Sequence, residues 1–297
     1  MSAHCSRRAF VQACLLGVAS AAIPLHIAHA MTSVEDASGN DLMRRLRFRI
    51  DFQNPLARSL LGQKFWFYLP LKSETQLLQS IKVSMVHRIQ TDSLGHQILE
   101  LFFDEVPRYF QMTVTLEVGI RFNQGQPSVA LLENSDWLRS ERLMEASSVQ
   151  IAALAQQLRR GSDSQTLEAI YRWVSENIEY AGFIPEDLGA LYALENRRGD
   201  CTEYAYLVAA LARANSIPAR VIGGYFADHD TAPKPQDYHN WAEVFVDGRW
   251  SIVDAQKGYL YPSPGRYVAF RIHHQTPIND VGAAHRYRVG GQLQVGF

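Results

Sequence analysis

The sequence predicts an α+β protein, with a β-rich, sandwich-like half first and a helix-plus-antiparallel-sheet half after it. Three observations carry that prediction. Leu46, Phe48, Ile50 and Phe52 alternate with polar residues, and the same period of two runs from Phe110 to Phe122. Near residue 140 the apolar spacing changes to three and four, the period of an amphipathic helix. Late in the chain, Asp247-Gly248 joins two short alternating runs, the strongest local signal for a hairpin.

Taken in order, the chain opens with an export signal over residues 1–30. Arg7 and Arg8 lie in Ser-Arg-Arg-Ala-Phe, a match to the twin-arginine consensus. An apolar stretch follows from Ala13 to Ile27, and Ala28-His29-Ala30 ends it as a cleavage signature. Pro24 and His26 interrupt that stretch, so a membrane anchor is the weaker alternative. No later run is long and apolar enough to span a bilayer, and a periplasmic or secreted location is expected. Residues 31–41 are polar and read as a flexible segment. Residues 42–135 form the β-rich domain, its strands expected at 46–52, 65–71, 80–86, 97–103 and 110–122.

A second domain is expected over 140–297. Its first helix is placed over 141–160 and stopped by Gly161. A capping box at Ser162 to Gln165 opens the next, with Leu167, Ile170, Val174 and Ile178 on one stripe. Pro185-Glu-Asp suggests a short helical turn. A helix over about 201–214 turns Tyr204, Leu207, Val208 and Leu211 inward, and Ile217-Pro218 ends it. Then come a strand at 219–226, a Pro-rich loop at 228–238, and the strands 239–246 and 249–255 around Asp247-Gly248.

Lys plus Arg number 29 against 30 Asp plus Glu, for a net charge of −1. With no basic block, nothing points to nucleic acid or anionic lipid as a partner. Of three cysteines, Cys5 and Cys14 leave with the signal, so Cys201 remains alone and cannot form an internal disulfide. A lone thiol in an exported chain is either reactive or buried and inert. At a helix N-terminus, the dipole and a nearby imidazolium would favour its thiolate.

The hairpin supplies a geometric test of the first reading. In a two-residue type I′ turn Val246 faces Arg249, which puts Asp254 opposite Trp241. His239 then shares a face with Asp254 as its diagonal neighbour, within side-chain reach. A slip of one residue would part them. An attacking cysteine needs such a base, and the base needs a group to hold its tautomer. Cys201, His239 and Asp254 are the candidate catalytic residues, with plain loop and turn roles for the latter two as the alternative.

Those residues lie in segments that resemble the transglutaminase-like superfamily, relatives of papain-type thiol enzymes. Gly199-Asp200-Cys201-Thr202-Glu203-Tyr204-Ala205 resembles its nucleophile motif, and Ile217-Pro218-Ala219-Arg220-Val221 with Gly224 the segment after it. His239-Asn240-Trp241-Ala242-Glu243 resembles the base motif, and Gly248-Arg249-Trp250 through Asp254 the acid motif. Trp173-Val174 and Asn177-Ile178-Glu179-Tyr180 extend the likeness upstream, so that it covers about 145–260. The resemblance implies a papain-like or transglutaminase-like core: a nucleophile helix packed on an antiparallel sheet. It also implies acyl transfer from peptide or isopeptide amides, with Cys201 as nucleophile, His239 as general base and acid, and Asp254 orienting His239.

The Cys201 backbone N–H would supply part of an oxyanion site, with a second donor unassigned. Ser216 stands where many relatives carry Gly, Asn240 where a small residue is common, and Ala255-Gln-Lys257 where Pro or Thr is usual. Trp241 and Trp250 are expected to pack the sheet face rather than line the cleft, and Glu243 is open between structural and catalytic roles. Asp228-His229-Asp230 and His273-His274 read as loop residues, and no cofactor or metal is expected. The expected partner is a protein or peptide substrate, including one associated with the cell envelope. A catalytically silent envelope scaffold that kept the fold is the competing reading.

Overall fold

The computed structural model describes residues 42–122, 135–276 and 278–297. The signal at 1–30 and the flexible segment at 31–41 lie outside the described residues.

Alternation in the first half produces six antiparallel strands: β1 (Leu42–Asn54), β2 (Leu60–Leu69), β3 (Gln76–Val83), β4 (Arg88–Thr91), β5 (Gln97–Val106) and β6 (Phe110–Phe122). Two more, β14 (Tyr287–Gly290) and β15 (Gln294–Gly296), come from the far end of the chain. They complete two four-stranded sheets, ordered β15-β1-β6-β3 and β14-β2-β5-β4. The inward residues of β1 meet those of β2 across the gap: Phe48 lies 5.3 Å from Phe67 and Phe52 5.0 Å from Phe65. This is the expected sandwich. The second unit, expected to run through residue 297, thus gives its last strands to the first pair of sheets.

The second half packs helices α1 (Val149–Leu158), α2 (Asp163–Asn177) and α3 (Ala190–Asn196) around a central helix, α4 (Cys201–Ala214). Its sheet has the order β12-β11-β10-β9-β13. These strands are β9 (Ala219–Phe226), β10 (Tyr238–Val246), β11 (Arg249–Asp254), β12 (Tyr259–Leu260) and β13 (Tyr267–Ile272). Two-residue strands β7 (Glu179–Tyr180) and β8 (Arg198–Gly199) pair in parallel beside the start of α4.

α4 differs from a one-sided amphipathic helix. Every residue from Thr202 to Arg213 is buried. Ala205, Ala209, Ala210 and Ala212 let neighbours approach on faces that larger side chains would hold apart.

Three local expectations are corrected. α1 starts at Val149, because Ser148 caps it and accepts from the Ile151 N–H. The residues before it serve other elements: Glu145 accepts from the Ala190 and Leu191 N–H groups and so caps α3, and Glu141 pairs with the buried Arg213 at 2.7 Å. The same helix ends at Leu158 with Arg159 as its C-cap, so Gly161 is not the stop. Pro185-Glu-Asp forms no helix, which begins only at Ala190.

The two halves share apolar surface. Phe48 of β1 lies 5.6 Å from Tyr225 of β9 and 6.0 Å from Phe270 of β13. A backbone clasp adds to this contact: the Arg47 N–H donates to Thr231 O and the Thr231 N–H to Arg45 O, both at 3.0 Å. Among the described residues no helix is long and apolar enough to cross a membrane.

Candidate active site

Each residue of Gly199-Asp200-Cys201 has a separate local duty. Asp200 is the N-cap of α4; its Oδ1 accepts from the Thr202 N–H at 2.7 Å, and Glu203 returns a bond to the Asp200 N–H at 3.1 Å. That reciprocal box brings Glu203 over Gly199, where any Cβ would stand 2.4 Å from the Glu203 Cβ. Glycine is therefore required by close approach, and Cys201 is left as the first residue of the helix.

The hairpin adopts the expected register, with Val246 opposite Arg249 and Ala242 opposite Val253. Asp247 and Gly248 both have positive φ, 51° and 75°, as a type I′ turn demands. His239 and Asp254 consequently meet: Nε2 lies 2.6 Å from Oδ2, with both side chains buried. Two further donors hold the carboxylate. The Tyr267 hydroxyl reaches Oδ2 at 2.8 Å, and the Lys257 N–H reaches Oδ1 at 3.1 Å. Tyr267, on the unanticipated strand β13, is the functional neighbour that pattern reading missed; no motif in YVAFRI singles it out.

Cys201 and His239 line one cavity of about 330 Å³, together with Tyr180, Phe226, Thr231 and Lys257 among others. No hydrogen bond joins the sulfur to the His239 ring among the described residues. The ring nitrogen left free of Asp254 is Nδ1. Catalytic contacts of this kind commonly tighten only when substrate binds.

The expected thiolate is corrected. Burial pushes the Cys201 thiol up to about 12, and Asp200 adds to the effect. The Asn240 backbone N–H and the Thr202 side chain act the other way without reversing it. Desolvation of a sulfur anion outweighs the helix N-terminus here. Cys201 thus rests as a thiol, and its chemistry requires a base.

Trp241 is buried, lies 6.3 Å from the His239 ring and 5.0 Å edge-on from Tyr267, and does not line the cavity. Trp250 packs on Phe245 and beneath Arg220, whose other partner is Glu243 at 2.7 Å. Glu243 is thereby occupied in an ion pair.

His273, expected as a plain loop residue, is fully buried beside the site. Its Nδ1 lies 2.9 Å from the Tyr206 hydroxyl, which is also 2.9 Å from Asp187 Oδ2. Asp187, His273 and His285 present donor atoms within 4.8 Å of one another, the kind of set that can hold a divalent cation. Those atoms are already hydrogen-bonded, and the Arg271 guanidinium acts electrostatically on both Asp187 and His273.

Residues 152–255 match the profile of the transglutaminase-like superfamily. A solved structure of a proposed cysteine protease from Cytophaga hutchinsonii has the same fold, with a TM-score of 0.58 at 19% identity over 86% of this chain and 90% of that one. The periplasmic domain of TgpA from Pseudomonas aeruginosa aligns at a TM-score of 0.41 and 17% identity, over 74% of this chain and 89% of that one. An uncharacterised protein of Mycobacterium leprae is 22% identical over 189 residues, which are 55% of this chain and 67% of that protein. With the profile spanning the nucleophile helix and the hairpin, residues 152–255 form a transglutaminase-like domain.

Proposed function

We propose that the protein is an exported thiol enzyme acting on peptide or isopeptide amides through an acyl-thioester, with Cys201, His239 and Asp254 as its triad. The observation that carries this reading is the 2.6 Å bond from His239 to a buried carboxylate, on the wall of the cavity that also holds Cys201. Nε2–H donates to Asp254, which leaves Nδ1 bare and able to take a proton. His239 removes the Cys201 S–H proton as the sulfur bonds to the amide carbonyl carbon. The C–N bond then breaks, and the imidazolium returns that proton to the leaving amine. A water molecule or an amine, deprotonated in turn by His239, attacks the thioester and restores the thiol. The first acceptor gives hydrolysis, the second acyl transfer. The twin-arginine leader supports a periplasmic or secreted location, and the sandwich is read as a brace for one cleft wall.

The test is capture of the thioester on Cys201 by mass analysis after mixing with a peptide library, with and without an added primary amine. Cys201→Ala should abolish the adduct, and His239→Ala should slow its formation by roughly 10²–10⁴-fold. If the wild-type protein binds peptides and never forms the adduct, the scaffold reading replaces this one.

A further inference from the structure

A second polar array reaches Cys201 without passing through Asp254. The Asn240 backbone N–H and the Thr202 side chain both favour the anion of the Cys201 sulfur. The Asn240 side-chain Nδ2 donates to Thr202 Oγ1 at 2.8 Å and lies 4.0 Å from Cys201 Sγ. An amide nitrogen carries two protons, so the bond to Thr202 leaves one for the sulfur. The other end of the amide is held in place: Asn240 Oδ1 lies 3.2 Å from His273 Nε2, and the Tyr206 hydroxyl lies 2.9 Å from His273 Nδ1. Asn240, His273 and Tyr206 are all buried. Burial, helped by Arg271, keeps the His273 ring neutral. A neutral ring with its proton on Nε2 donates to Asn240 Oδ1, while the single Tyr206 hydroxyl proton goes to Asp187 Oδ2.

We propose that Asn240 is a catalytic residue of this chain that stabilises the Cys201 anion formed when His239 takes the thiol proton, and that His273 is the positioning residue for its amide. The proposal rests on the reading of Cys201 as nucleophile. The need is visible in the charges around the sulfur. Asp200 on its own helix and Asp254 on β11 oppose an anion, and the phenols of Tyr180 and Tyr238 interact with the same sulfur. Among the described residues, His239 on β10 and Lys257 are the cation-formers that line its cavity, and Asp237 is a further acid there. An amide adds a favourable dipole there without adding a titrating group.

The experiment is the rate of iodoacetamide alkylation at Cys201, read by peptide mass analysis on the full chain across pH, since the rate follows the thiolate population. A hydrogen bond to a charged group is worth about 1.5–3 kcal/mol, so Asn240→Ala should slow alkylation near neutral pH by roughly tenfold or more. Asn240→Asp, which has the same shape but no amide proton, should slow it at least as much and guards against a collapsed fold in the Ala variant. His273→Ala should act in the same direction, and His273→Gln, whose amide can still donate to Asn240 Oδ1, should recover most of the rate. Wild-type rates in both Asn240 variants would overturn the proposal. A loss in His239→Ala with none in the Asn240 variants leaves the triad standing and this inference fallen, and the reverse result removes the triad.

Discussion

Asp254 accepts from three donors, and its burial makes each one matter. Tyr267→Phe removes the phenol proton and leaves the ring, so its packing on Trp241 and Phe226 is preserved. A hydrogen bond to a buried carboxylate contributes about 1.5–3 kcal/mol, and urea unfolding at neutral pH should show a loss of that size. If His239 depends on Asp254 for its orientation, the same variant slows thioester formation. Glu203 makes a different prediction. Burial pushes its carboxyl up from an ordinary 4.5 to about 7, although the Leu188 and Asp200 N–H groups pull it back. A folded-state value above the unfolded one means the native protein holds the extra proton. The stability this supplies is complete below about pH 4.5 and is lost as pH rises through about 7. Melting temperature should therefore fall over that window in the wild type and fall less in Glu203→Gln. An equal fall in both would rule Glu203 out as the cause. Cys201, His239 and Asp254 could be named from motif and register; Tyr267 and His273 could not, because each enters the site from a buried strand or loop with no pattern of its own.

The β10–β11 hairpin shows how much one turn can decide. Its two positive-φ residues fix the register, and register alone puts His239 and Asp254 on one face. Gly248→Ala forces a Cβ into left-handed backbone and should cost about 1–2 kcal/mol in chemical unfolding. Ser216 presents the converse case. It holds φ 63°, so Ser216→Gly relieves local strain and should raise stability by up to about 1 kcal/mol, less the entropy glycine adds to the unfolded chain. A drop in melting temperature would contradict that account. The loop 228–238 was legible only as a Pro-rich connection. Its role as a cleft wall depends on β1, where Arg45 and Arg47 clasp Thr231 and Asp230 Oδ1 accepts from the Arg45 N–H at 2.8 Å.

Those contacts make the sandwich part of the site's mechanical support. β14 and β15 close its sheets from the other end of the chain; Tyr287 lies 5.6 Å from Phe65, and Phe297 5.8 Å from Phe67. Deleting residues 287–297 exposes the edges of β1 and β2 and empties an aromatic cluster. The expected loss is at least the roughly 3–5 kcal/mol typical of one large core aromatic. Because Phe48 links this core to Tyr225 and Phe270, unfolding should remain a single transition at lower temperature, monitored by circular dichroism and by exposure of Cys201. Separate transitions for the two halves would show that the shared surface carries little coupling.

Periodicity, capping and the Asp-Gly turn located most of the elements before residue 255 and the His239–Asp254 face, because each depends on residues close in the chain. Three features needed tertiary structure. The burial that keeps Cys201 protonated arises from packing around the start of α4. The polar array behind Asn240 gathers Tyr206 and His273 from segments 67 residues apart. The cleft wall at Thr231 is held by β1, on the far side of a connection nearly two hundred residues long. Local pattern determines which residues can form an element. Which distant side chains desolvate a thiol or orient an amide is decided only when those elements pack.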